Sequence, residues 1–64
     1  MVWTVHWRAE GDPKLKLDVA VSREDALRIA KQKQDLRGIR ISKISGPNGE
    51  ILTAEQVLPL IKNL

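Results

Sequence analysis

Val2-Trp3-Thr4-Val5-His6-Trp7-Arg8-Ala9 and, five residues later, Leu15-Lys16-Leu17-Asp18-Val19-Ala20-Val21 decide how this chain folds. Both runs alternate apolar and polar residues. Successive side chains of a strand point to opposite faces, so a period of two marks a half-buried strand. The segment between them, Glu10-Gly11-Asp12-Pro13-Lys14, combines a permissive glycine with a proline that holds the residue before it extended. Residues 2–21 therefore read as one hairpin. Trp3, Val5, Trp7 and Ala9 lie on one face of its first strand, and Thr4, His6, Arg8 and Glu10 on the other. In the second strand Leu15, Leu17, Val19 and Val21 oppose Lys14, Lys16, Asp18, Ala20 and Ser22. Pairing apolar face with apolar face turns both tryptophans inward beside the four aliphatics. The polar side is then left open to solvent.

Working outward, Ser22-Arg23-Glu24-Asp25 approximates a capping box, and its acidic residues suit the positive end of a helix dipole. The helix is expected to run to Leu36 or Arg37, with Gly38 as its terminator. Its buried face would hold Ala26, Leu27, Ile29, Ala30 and Leu36, interrupted by Lys33 and Arg37, whose stems can lie on apolar surface while their charges reach water. Ile39-Arg40-Ile41-Ser42-Lys43-Ile44 reads as a third strand. Its alternation slips between Ile41 and Ile44, which predicts a bulge near Ser42–Lys43 or an end that leaves the sheet. Gly46-Pro47-Asn48-Gly49 is a hairpin turn, followed by a short strand, Glu50-Ile51-Leu52. Thr53-Ala54-Glu55-Gln56 is a second capping box. It opens a terminal helix that Pro59 is expected to kink or to restart.

The order ββαββα predicts an α+β fold of two layers: a four-stranded, mostly antiparallel sheet with two helices packed on one face. The 64 residues form one small domain, 1–64. Aligning Ser22 with Thr53 superposes Glu24 on Glu55, Leu27 on Leu58 and Lys31 on Lys62, which fits a ββα duplication, 1–37 and 38–64. Caps and amphipathic periodicity alone generate the same matches.

Composition narrows the function. The chain has no cysteine and one histidine. A disulfide and a thiolate zinc site are excluded, and no metal site or cofactor is expected. No apolar run is long enough to span a membrane, and no secretory leader is visible, so the expectation is a cytoplasmic protein. Net charge is +3, concentrated in residues 14–43, which carry nine basic and four acidic side chains. No carboxylate pair, Ser-His-Asp set or phosphate loop is recognisable. An enzyme is not expected, nor is a small-molecule substrate.

Each remaining feature has a bland reading beside its functional one. The tryptophans could stack nucleic-acid bases if they faced outward, but the aliphatic companion strand favours the core. His6 would need an orienting acid to do chemistry. Asp18 across the hairpin is the one candidate, and an ordinary strand histidine is the simpler account. The basic residues Arg28, Lys31, Lys33, Arg37, Arg40 and Lys43 could contact phosphates. Pairing of Arg28 with Glu24, favourable helix-end charges and protection of strand edges are the simpler account. The leading expectation is a non-enzymatic binding or adaptor protein acting through Thr4, His6, Arg8, Lys16 and Arg40, or through an edge strand that pairs with a protein partner or with itself as a homodimer. The alternative is nucleic-acid binding through the basic region 28–43.

Overall fold

A computed structural model describes residues 2–64. Its elements are β1 (Trp3–Ala9), β2 (Leu15–Ala20), α1 (Arg23–Gln34), β3 (Ile39–Ser45), β4 (Ile51–Thr53) and α2 (Ala54–Lys62). The strands form one sheet in the order β2-β1-β3-β4, with every neighbouring pair antiparallel. This is the expected α+β architecture. Both helices contribute to a single core: Val5, Trp7, Ala20, Ile41 and Ile44 from the sheet meet Ala26, Leu27 and Ala30 of α1 and Val57 and Ile61 of α2.

The local signals act as the sequence suggests. Ser22 Oγ accepts from the Asp25 amide at 3.1 Å. Thr53 and Gln56 form a reciprocal capping box, with each backbone N–H donating to the other's side chain, so two otherwise orphaned donors are satisfied. The β1–β2 turn is tied by the Asp12 amide to the Ala9 carbonyl and by the Lys14 amide to Asp12 Oδ1, both at 3.0 Å. In the β3–β4 turn the Gly46 amide donates to the Glu50 carbonyl at 2.7 Å.

Three boundaries differ from expectation. Helix α1 stops at Gln34, capped by Asp35, so Leu36 lies beyond it and is exposed rather than buried. Strand β4 begins at Ile51 and runs to Thr53. Helix α2 continues unbroken through Pro59. The proline forfeits one backbone bond, but it lies on the exposed side while Val57 and Ile61 one turn apart hold the helix down.

The slip in β3 is a bulge. His6 pairs with Lys43, but Trp7 pairs with Ile41, which leaves Ser42 as the extra residue. Without that residue Ile41 and Ile44 would face opposite ways. With it, both reach the core.

The largest departure lies in β2. Its register places Ala20 opposite Trp3, Asp18 opposite Val5 and Lys16 opposite Trp7. Side chains directly opposite share a face. The helix-covered side of β2 is therefore Lys16, Asp18 and Ala20, and Leu15, Leu17 and Val19 lie on the open side with Thr4, His6 and Arg8. The expected match of apolar faces is overturned. The register is the reason. Each opposed pair on β1 and β2 sums to an odd number, so odd residues face even ones, whatever their polarity. The tryptophans still face inward: Trp7 is buried and Trp3 is half-buried against the core.

Trp3 leans over the start of the β3–β4 turn. A Cβ on Gly46 would lie 2.8 and 2.9 Å from Trp3 Cζ3 and Cη2, and 3.1 Å from Glu50 Cβ. Gly46→Ala is therefore expected to destabilise the fold by about 1–3 kcal/mol through overpacking. In a Trp3→Leu background the same change should cost less, by about 0.5 kcal/mol or more, since the two closest contacts are gone and only that with Glu50 Cβ remains. Urea unfolding followed by Trp7 fluorescence measures both, and equal costs in the two backgrounds would refute the contact.

Candidate interaction surface

The helices cover one side of the sheet and leave the other without a layer. Strand β2 contributes Leu15, Leu17 and Val19 to the open side, at 44%, 56% and 63% exposure, and Val21 just beyond it is 76% exposed. These values decide the character of the surface. Isolated exposed aliphatics are ordinary, whereas these are alternate residues of one edge strand. On β4, Ile51 adds a further exposed aliphatic, level with Ser45 and Thr4.

The middle of the open side is polar and basic. Arg8 and Arg40 are direct cross-strand neighbours on β1 and β3, and His6 is opposite Lys43. The bulge at Ser42 is what brings Arg40 and Lys43 to the same side. Among the described residues none of these three cations forms an ion pair. Like charges directly opposite oppose pairing, and here both arginines are exposed, so water screens them. Together with the β1–β2 turn, Glu10 to Pro13, and Ala9, the two arginines line an open concavity of about 390 Å³.

His6 is half-buried, not simply exposed. Its Nε2 shares a hydrogen bond of 2.8 Å with Ser45 Oγ, and Nδ1 is enclosed without a partner. Burial first, and the Lys43 ammonium second, hold its pKa below the usual histidine value. Asp18 does not orient it. That residue pairs opposite Val5 on the covered side, where its carboxylate meets Lys33 at 3.5 Å.

Of the residues expected to form the surface, Thr4, His6, Arg8 and Arg40 come together. Lys16 does not. It lies on the helix side, 5.3 Å above the Trp7 ring, with Lys33 4.6 Å from the same ring. Each ammonium gains from the ring's negative face, and Lys16 also meets Asp12 at 3.7 Å. The basic run 28–43 is divided. Arg28 pairs with Asp25 at 3.7 Å, not with Glu24. Lys31 donates to the Leu64 carbonyl, and Lys33 is held by Trp7 and Asp18. Arg37 is exposed after α1, and only Arg40 and Lys43 reach the open sheet. Sequence reasoning missed Leu15, Leu17, Val19 and Val21 as surface residues. No local sequence signal identifies them, because the register of β2 on β1 decides which of its faces is covered.

The single histidine makes the surface readable. Its NMR titration is expected to have a midpoint below 6.5. Because the folded value is depressed, the stabilisation from the neutral ring is complete above 6.5 and is lost as pH falls through the folded midpoint. Lys43→Gln should raise the midpoint partway, leaving the larger effect of burial. A midpoint at or above 6.5 in the wild type would contradict the enclosed ring.

Comparison with family models, curated proteins and solved structures finds no match to this chain.

Proposed function

We propose that this chain is a small non-enzymatic binding protein that works through the open side of its sheet and the adjoining β2 edge. One observation carries the reading: the aliphatic row Leu15, Leu17, Val19 and Val21 is left outside the core, beside Arg8, Arg40 and Lys43, which form no ion pair among the described residues. Burying such a row releases roughly 25 cal/mol per Å² of apolar surface. The cations favour a partner with acidic groups at the margin of its contact. A sheet edge supplies main-chain donors and acceptors for an added strand, so affinity and side-chain specificity come from one element. A protein partner, including a second copy, fits these features. Among the described residues no helix is long and apolar enough to cross a membrane. The cysteine-free composition suits a reducing compartment, and we place the protein in the cytoplasm. Nucleic-acid binding draws less support, because the basic side chains of 28–43 are spread over both layers and several are already paired.

A photocrosslinking residue placed at Leu17 or Val19 tests this in the cell of origin. Covalent adducts are expected from these positions, and none from Glu24 or Gln32 on the exposed side of α1. Absence of protein adducts at both sheet positions would overturn the reading.

A further inference from the structure

We propose that β2 is the edge through which two copies of this chain join, antiparallel, with Leu17 opposite Leu17 and with Lys16 of each copy opposite Asp18 of the other. The inference rests on the binding-protein reading above and commits it to one occupant.

The two ends of the sheet are unequal. Strand β4 offers three residues and passes directly into α2. Strand β2 offers six, Leu15–Ala20, with unbroken register along β1 and a free outer side. Sheets guard exposed edges with short strands, bulges or prolines. β4 is short, whereas β2 has neither bulge nor proline and is guarded only by Lys16 and Asp18, two charges of opposite sign.

Symmetry then limits the register. Two identical antiparallel strands are related by a two-fold axis perpendicular to the sheet, and such an axis keeps each side chain on its own side. Opposed residues must therefore share a side, which confines the centre of pairing to a single residue of β2. Centring on Lys16 sets two ammonium groups against each other, and centring on Asp18 sets two carboxylates together. Like charges directly opposite weaken pairing. Centring on Leu17 opposes Lys16 with the partner's Asp18 twice. On the open side it matches Leu15 with the partner's Val19 and Leu17 with itself. One register thus satisfies the charges on the covered side and the aliphatic row on the open side. Asp18 already meets Lys33, and Lys16 already meets Asp12, so the two new pairs extend these contacts into an alternating network along the joint. The product is an eight-stranded sheet whose centre is aliphatic and whose flanks carry Arg8, Arg40 and Lys43.

Charge exchange tests the register. Lys16→Asp and Asp18→Lys alone should each weaken self-association about 10-fold or more, because two opposite-charge pairs become two like-charge pairs. An equimolar mixture of the two variants should dimerise again, since acidic positions 16 and 18 of one then face basic positions of the other. Leu17→Lys, which alters an exposed side chain and no ion pair, should also give monomers. Sedimentation equilibrium from micromolar to millimolar protein reads the masses, and circular dichroism verifies that each variant is folded. A wild type that stays monomeric at millimolar concentration overturns the proposal. So do single variants that associate as tightly as wild type, or a mixture that stays monomeric. If the wild type is monomeric but the Leu17 and Val19 crosslinks capture another protein, the binding reading stands and only the second copy is refuted. If no protein is captured either, both fall.

Discussion

Val5 and Ile44 face one another across the two central strands, and neither exposes any surface. The rest of the structure is arranged around that pair. It sets the register of β1 on β3. It also requires the bulge at Ser42, since only an extra residue lets Ile41 join Ile44 on the same side. Above it, α1 contributes Ala26 and Ala30, both fully buried, and α2 contributes Val57. Small residues let the α1 backbone approach the sheet closely, and the branched residues fill the space between the layers. A chain with no phenylalanine or tyrosine and two tryptophans builds its core from aliphatic contacts of this kind, with Trp7 closing one end beneath two ammonium groups.

Most of the architecture was legible because it depends on local chemistry. Capping residues, turn residues and hydrophobic periods each act over a few neighbours, and they named all six elements in order. Even the bulge was visible as a phase error between Ile41 and Ile44. The sheet side of β2 was not legible, because it depends on how two strands slide against each other. An alternating strand announces two faces but not which one is inside. For Leu15-Lys16-Leu17-Asp18-Val19, the assumption that the apolar row is buried inverts the answer. Lys16 therefore left the candidate surface and four aliphatics entered it. The α1 boundary shows a smaller effect of the same kind: Leu36 fits the helical period, but the chain has already turned away at Asp35 to reach Gly38 and β3.

The placement of β2 also explains the charges on the covered side. A strand that gives only Ala20 to the core leaves Lys16 and Asp18 at its rim. These are satisfied laterally, by Trp7, Asp12 and Lys33, instead of being desolvated. Exposed pairs of this sort add little stability. Their effect is to fix the outline of the edge, with one cation and one anion flanking Leu17.

The unequal lengths of the two sheet edges govern growth. An edge that pairs with itself about a two-fold axis is used up in the pairing, and the assembly closes. Propagation into a fibre would need the far edge to accept a strand as well. At that end only Ile51, Leu52 and Thr53 are extended before Thr53 caps α2 and the backbone turns into the helix. The capping threonine thus terminates more than a strand: it leaves the far edge only three residues long, so that addition at β2 would stop at a finite size.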